Sequence, residues 1–475
     1  MQKCKSRSYA GFFYFYGMNA TKIIETVFKR VLPSPFAIAV LLTLLAMLLA
    51  LLFTEAPKDQ SHFLAILSFW ENGIWNNALL VFAYQMMLIL VLGHILVLSK
   101  PMNYLISRLT NLVSNTSNAV LLVAGTTMLV SFFNWGLGLI FGAILARKVA
   151  EAAQLRNFKI NYPLVGASGY AGLMIWHGGI SGSAPLKVAE SGHLANLMAG
   201  VSDANSSIQL PNFIPFSETV FSTFNLVIFG VLLVVIPLFL YQVGKKTLAT
   251  TPNVPIYKGY SHTTTGLVGM ERMDHSKVFG TAFGLVVMLA FFHQYAGALG
   301  ALAITPNLLN FFMLGLALVL HGSFSSFLNA LEEAIKGASG ILIQFPLYFG
   351  IMGIMRESGM IVQISDFFVS IATVRTLPLF TFFSAGLVNI FVPSGGGQWA
   401  IQGPIVVESA LKLGVPLPRA VMALAYGDQI TNMLQPFWAL PLLAITKLKA
   451  REILPYTLLL MVIGSFVFLV GLYYF

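Results

Sequence analysis

Val392-Pro393-Ser394-Gly395-Gly396-Gly397-Gln398-Trp399 interrupts the apolar run Pro378 to Leu411 near its middle. A proline, a serine and three glycines in succession end a helix, here at a depth where backbone N–H and C=O groups meet no water. Each unsatisfied group in hydrocarbon costs several kcal/mol, so such a break survives only inside protein or beside a wet cavity. The first half of the chain holds a counterpart, Asn134-Trp135-Gly136-Leu137-Gly138, in the middle of Ala119 to Ala146. A second pair of breaks follows: Gly178-Gly179-Ile180-Ser181-Gly182-Ser183-Ala184-Pro185 within Pro163 to Ala189, and Gly427-Asp428-Gln429-Ile430-Thr431-Asn432 within Pro418 to Ile445. Interrupted helices at equivalent places in two halves of an apolar chain mark the binding site of a secondary transporter.

Composition supports a membrane setting. Of 475 residues, 57% are hydrophobic and 9% charged, too little charge for a water-facing surface. The formal net charge of +10 does not point to nucleic acid, because Lys and Arg fall in short loops between apolar runs rather than on one face. The single cysteine, Cys4, excludes an internal disulfide and a Cys-rich metal site. Lys3, Lys5 and Arg7 precede a short apolar run, Ala10 to Met18, that lacks a clear small-x-small cleavage site. It reads as a cytoplasmic tail rather than a signal peptide, with Met18 as an alternative start.

A crossing needs about 20 apolar residues. Candidates are Phe36 to Phe53, Ala78 to Leu98, Pro163 to Ala189, Phe221 to Val243, Val278 to Ala296, Pro306 to Leu320, Ser339 to Met355, Pro418 to Ile445 and Leu454 to Tyr474. Ala119 to Ala146 and Pro378 to Leu411 read as re-entrant hairpins or pairs of short spans. If both hairpins return to the side they entered, 21 of the 27 Lys and Arg lie on one side, which cytoplasmic loops favour. The N-terminus is then expected in the cytoplasm and the C-terminus on the opposite side of the membrane.

The two halves repeat. Gln85 and Gln344 lie 259 residues apart, Pro163 and Pro418 255, and Pro185 and Pro441 256, each in a similar setting. Five net crossings separate the Gln85 and Gln344 helices, so the copies are expected to run in opposite senses. The predicted fold is an all-α polytopic membrane protein of two inverted-topology repeats with paired re-entrant hairpins and broken transmembrane helices. Its expected divisions are a cytoplasmic tail (1–30), an N-terminal repeat (31–243), a cytoplasmic linker (244–277) and a C-terminal repeat (278–475).

Where a helix restarts, free N–H groups and the positive end of its dipole suit a carboxylate. Ser181, Ser183, Ser394 and Thr431 add hydroxyls beside them. The competing reading is that Gly and Ser there merely let helices pack closely. Asp428 sits well inside an apolar span, where an acid is costly, and is the candidate for ion coupling by a proton or Na⁺. A structural acid bonded to Gln429 or to a backbone amide is the alternative. His177 is a titratable neighbour of the first break that also suits a packed polar role. Glu408, His94, His293 and His321 read as interfacial. Trp135 and Trp399 flank the hairpin breaks, either walling an aliphatic tail or filling helix interfaces. Ser114-Asn115-Thr116 stands at a hairpin entrance and reads as an N-capping turn.

Asn134-Trp135-Gly136-x-Gly138, Gly178-Gly179-x-Ser181-Gly182-Ser183-x-Pro185, Val392-Pro393-Ser394-Gly395-Gly396-Gly397-x-Trp399-x-Ile401-Gln402-Gly403-Pro404 and Ala425-Tyr426-Gly427-Asp428-Gln429 together resemble the bacterial short-chain fatty acid transporter family. The similarity covers the chain from about Arg30 onward. It implies uptake of short monocarboxylates such as acetoacetate and butyrate by symport, and the hairpin architecture of a wider, usually homodimeric, ion-transporter superfamily. The matching positions make Asn134, Trp135, Gly136, Gly179, Ser181, Gly182, Ser183, Ser394, Gly395, Gly396, Gly397, Gln398 and Trp399 the substrate-binding candidates. Asp428, Gln429, Thr431 and Asn432 are those for ion coupling. No cofactor is expected, Na⁺ entering only as a coupling ion. Against this stand a cation–proton antiporter and an intramembrane enzyme. The enzyme is disfavoured because Asp428 has no evident intramembrane carboxylate partner and no His-Glu-x-x-His or Gly-x-Ser-x-Gly pattern occurs.

Overall fold

The computed structural model describes residues 33–57, 60–198, 210–255, 269–300, 305–336 and 338–475. The tail 1–30, with Cys4 and Met18, lies outside them, and of the linker 244–277 only the two ends lie within. Among the described residues the chain is almost wholly helical, its β contact being an isolated bridge between Ile160 and Thr250.

The first half opens with α1 (Pro35–Phe53), α2 (His62–Ile74), α3 (Asn77–Leu98) and α4 (Lys100–Thr110). A hairpin of α5 (Thr116–Phe133) and α6 (Trp135–Leu155) follows. The next crossing is broken into α7 (Tyr162–Ser168), two 3-10 turns (Ala171–Met174 and Trp176–Gly178), an extended Gly179, then α8 (Ser183–Val188) and α9 (His193–Met198). After α10 (Thr223–Lys246) come α11 (Glu271–His275), α12 (Lys277–Gly300), α13 (Pro306–His321) and α14 (Phe324–Ile335). The earlier order then recurs in α15 (Ser339–Glu357), α16 (Met360–Ser370) and a second hairpin of α17 (Leu377–Phe391) and α18 (Gly395–Leu413). A second broken crossing consists of α19 (Leu417–Thr431), a 3-10 turn (Asn432–Leu434) and α20 (Pro436–Thr446), and α21 (Ala450–Tyr474) follows.

Six helices among the described residues, α1, α3, α5, α10, α12 and α21, are long and apolar enough to cross a membrane. The other expected crossings fall on α13, α15 and the two broken stretches. Among the described helices outside the expected spans, α2, α4, α14 and α16 run 11 to 13 residues, too short to cross, with polar residues interleaved. The halves grip each other reciprocally, since α15 packs on α1 and α2 while α3 packs on α13 and α14.

Local chemistry sets the hairpins. Asn115 caps α5 by accepting from the N–H of Asn118 at 3.0 Å, as the sequence indicates. Asn134 alone makes the first tip, closing α5 and capping α6 through the N–H of Leu137 at 2.9 Å. Ser394 caps α18 by accepting from the N–H of Gly397 at 3.2 Å. A side-chain cap replaces one of the orphan N–H partners that lipid cannot supply.

The second break lies later than the sequence suggests. Gly427 to Thr431 continue α19, and the helix gives way only at Asn432 to Gln435. Gly427 serves close packing instead: a Cβ there would run into the carbonyl oxygen of Phe382 on α17, to which α19 is pressed. Small residues let helix backbones approach where lipid is as apolar as Leu. Pro436, with no N–H to give, is suited to the first turn of α20. Buried rings tie these elements to the scaffold, Phe345 of α15 stacking on Phe437 of α20 at 4.0 Å and Tyr426 of α19 on Phe468 of α21 at 4.6 Å.

Candidate functional site

All four interruptions meet. The Trp135 N–H at the first tip donates to Ser181 Oγ (3.0 Å), and the Ile180 N–H donates to the carbonyl of Phe132 (2.8 Å), so the first hairpin clasps the first break. The Trp135 indole stands edge-on to Trp438 of α20 at 5.0 Å and lies 5.9 Å from Trp176, gathering three indoles between the two breaks. The first break also abuts the second hairpin. A Cβ at Gly395 would lie 2.8 Å from His177 Cε1, 2.9 Å from the Trp176 ring and 3.2 Å from Ser183 Oγ. Only glycine lets these chains come so near.

Asn389 of α17 organises the second break. Its buried amide nitrogen has two N–H groups shared among three acceptors, the Asp428 carbonyl (2.7 Å), Asn432 Oδ1 (2.7 Å) and Thr431 Oγ1 (2.9 Å). The first of these is a C-terminal helix carbonyl that has lost its intrahelical partner. These three oxygens accept from Asn389, while Gln435 Oε1 in the same break is buried without a hydrogen-bond partner. Gln429 Oε1 reaches across to accept from the N–H groups of His177 (2.8 Å) and Gly178 (3.4 Å). Asn225 of α10 holds the same loop by donating to the Gly178 carbonyl (2.9 Å) while accepting from Tyr426 Oη (2.7 Å).

Asp428 has a partner that the sequence did not show. Its Oδ2 is in contact with His177 Nδ1, both side chains being fully shielded. The Ala184 N–H donates to His177 Nε2 at 3.0 Å, so the lone pair sits on Nε2 and the ring proton on Nδ1, donated to the carboxylate. Asp428 Oδ1, Asn389 Oδ1, Gln429 Nε2 and Asn432 Nδ2 are buried without a hydrogen-bond partner. Among the described residues no group of three or more His, Cys, Asp and Glu is placed to hold a metal.

The tips and the first break thus bring together Asn134, Trp135, Gly179, Ser181, Gly182, Ser183, Ser394, Gly395, Gly396 and Gly397, while Gly136 packs behind the first tip against Ile89. Two candidates turn away. Gln398 is buried between the hairpin arms, donating to the Ala385 carbonyl (2.9 Å) and Gln402 Oε1 (2.7 Å). Trp399 packs beside α9 and donates to His193 Nε2 (3.0 Å). Glu408 pairs with Lys412 at 2.5 Å, one turn on. Sequence reasoning missed Asn389, Asn225, Trp176 and Trp438. For the first, the signal was an amide inside the apolar run Leu387-Val388-Asn389-Ile390.

A cavity of about 570 Å³ reaches the second tip at Val392 and Gly397. Its other walls include Met352, Arg356 and Glu357 of α15, Asn72 of α2 and Asn76 just after it.

The sequence from residue 18 to 475 matches the family model described as short chain fatty acid transporter. Two relatives carry short-chain fatty acid transporter names. One, from Escherichia coli, is 36% identical over 452 residues, covering 94% of this chain and 96% of the relative. The other, from Haemophilus influenzae, is 34% identical over 468 residues, covering 96% and 99%. Among solved structures, the Alcanivorax borkumensis YdaH transporter is 14% identical with a TM-score of 0.45, covering 93% of this chain and 97% of that one. Neisseria gonorrhoeae MtrF is 15% identical with a TM-score of 0.44, covering 95% and 97%. On the extent of the family match and of the two close relatives, this chain belongs to the short-chain fatty acid transporter family.

Proposed function

We propose that the protein carries short monocarboxylates, of the size of acetoacetate and butyrate, across the bacterial cytoplasmic membrane, driven by an ion gradient. The carrying observation is the meeting at Gly395. The first-turn N–H groups of Gly395 and Gly396 have no carbonyl four residues back within α18, and the Gly395 backbone stands against His177, Ser183 and the Trp176 indole. A carboxylate head takes the N–H and hydroxyl donors once the first break draws back from Gly395, since the contact as it stands has no room for a methyl group. A two- to four-carbon tail takes the indoles of Trp135, Trp176 and Trp438.

Charge supports a small anion, because donors at the gap are neutral and one carboxylate needs no fixed cation when a helix end faces it. On the orientation that the Lys and Arg distribution predicts, the cavity at Gly397 opens outward, with the N-terminus inside and the C-terminus outside. The recurrent order of helices and the reciprocal packing of α3 and α15 support an inverted repeat that alternates about this site. The homodimer implied by the family resemblance belongs to the same proposal, and the mass of the detergent-solubilised protein tests it. An antiporter moving cations alone would leave the donors at Gly395 and the indole wall without a task.

Uptake of radiolabelled butyrate into proteoliposomes is the test, with protein-free liposomes subtracting passive leak of the acid. Ser183→Ala removes one hydrogen bond to a charged group and is expected to raise KM about tenfold. An unchanged KM would take the carboxylate away from Ser183.

A further inference from the structure

We propose that His177 and Asp428 act as one proton-binding pair whose loading is coupled to the anion at Gly395, which makes the proton the coupling ion. This deepens the monocarboxylate reading and rests on it. The geometry fixes the tautomer: with Ala184 donating to Nε2, the imidazole is neutral and its Nδ1–H is donated to Asp428. The unloaded state of the proposal is this tautomer beside an ionised carboxylate, a pair that holds one negative charge.

Among the described residues, no cation beside the pair balances that charge. Helix α17, packed on α19, carries no titratable residue. On α21, whose Gly464 meets Ile430, Arg451 and Glu452 lie more than three turns before that contact. The 3-10 turn Trp176–Gly178 packs on α5, α8, α19 and the turn Ala171–Met174. α5 and that turn carry no titratable residue. On α8, Lys187 is spent on Glu190 at 2.9 Å and is half exposed. On α19, Tyr426 donates to Asn225 and Arg419 stands at the far end, bonded to the carbonyl of Leu472. From α18, whose first turn touches the His177 ring, Glu408 and Lys412 pair more than three turns away. From α10, Asn225 meets the break while Lys245 and Lys246 lie at the other end.

A second proton has a place to go. Asp428 Oδ1 is buried with no donor, so the pair can take a proton there directly. It can also take one on Nε2, which turns that nitrogen into a donor facing the Ala184 N–H. The second route pushes Ala184 off the ring and loosens the loop that carries Ser181 and Ser183. In either case the proton belongs to the pair rather than to one residue.

Coupling follows from position. The anion's donors at Gly395 lie against the His177 ring, so an unloaded pair repels the anion in a low-dielectric site and a loaded, neutral pair does not. By reciprocity, the anion raises the pair's affinity for the proton by the factor that the proton raises its own. Anion and proton then cross together as a neutral load, and anion affinity increases as pH falls until the pair is filled.

The test uses the full chain in proteoliposomes and two assays. Butyrate exchange without any ion gradient reads transport alone, while net uptake under an inward proton gradient, or an inward Na⁺ gradient at fixed pH, reads coupling. In the wild type, exchange is expected, with net uptake stimulated about tenfold by the proton gradient and unaffected by Na⁺. Asp428→Asn is expected to lower the ratio of gradient-driven uptake to exchange about tenfold. Should that variant fail to fold, His177→Asn keeps a donor toward Asp428 and moves the pH profile of uptake to lower pH, since the carboxylate must then take the proton alone. Exchange with Na⁺-driven but not proton-driven uptake overturns the inference and leaves the substrate reading standing. So does a full proton response in Asp428→Asn or an unmoved profile in His177→Asn. Absence of exchange in the wild type defeats the substrate reading and the coupling with it.

Discussion

Asn389→Ala is the sharpest probe of the second break. The substitution removes the donor shared by the Asp428 carbonyl, Asn432 Oδ1 and Thr431 Oγ1, all within 2.9 Å of the amide nitrogen. Thr431 Oγ1 already lies 3.4 Å from the Asp428 carbonyl and can rotate to serve it, so the loss falls chiefly on two acceptors. Leaving a buried acceptor unpaired costs about 1–3 kcal/mol, while side-chain hydrogen bonds inside membrane bundles average about 0.6 kcal/mol. The buried position of Asn389 and Asn432 favours the first figure over the second, and two acceptors at about 1–2 kcal/mol each give about 2–4 kcal/mol for Asn389→Ala. Equilibrium unfolding by SDS in mixed micelles, followed by tryptophan fluorescence, measures it. Asn432→Ala and the double variant complete a cycle in which a coupling of about 1 kcal/mol is expected. Costs that add within about 0.5 kcal/mol would show that Asn389 does not hold the break, and the account of why α19 stops where it does would be wrong.

Gly395 and Gly396 separate packing from mere flexibility at one tip. Gly395→Ala meets His177 and Trp176 inside 3 Å and is expected to cut transport about tenfold or more, whereas Gly396→Ala meets nothing nearer than 3.9 Å and stays near wild type; equal effects on butyrate exchange would contradict the assignment. Arg356, 3.4 Å from Glu357 and largely exposed on the cavity wall, is expected to steer anions inward. Arg356→Gln should raise KM about twofold to threefold at low ionic strength and lose that effect in high salt, and a KM indifferent to both would remove Arg356 from the route.

Much of the scaffold was legible because it is local. A run of apolar residues long enough to cross a membrane does so whatever packs against it, which is why Phe36 to Phe53, Ala78 to Leu98 and Leu454 to Tyr474 coincide with α1, α3 and most of α21. The hairpin tips were legible for the same reason. Asn134 and Ser394 cap the helices that they begin, a bond made within one turn. Gly427, read as part of a break, lies in mid-helix. A glycine permits either outcome, and the carbonyl of Phe382 on another helix makes the choice.

The sequence by itself determined the membrane class, the two hairpins, the first broken crossing and the family, because each rests on residue types within a few turns of one another. Tertiary structure alone decided the chemistry of the centre. His177 and Asp428 stand 251 residues apart and meet only because the first break, the second hairpin and α19 converge. Asn389 finds its three acceptors by the packing of α17 on α19, and no spacing announces that contact. Gln398 was drawn into the site by its place beside three glycines, yet helical register four residues from Gln402 turns it inward between the arms. Helix periodicity sets which face a residue occupies, but the neighbour that meets that face is fixed only when the whole chain has packed.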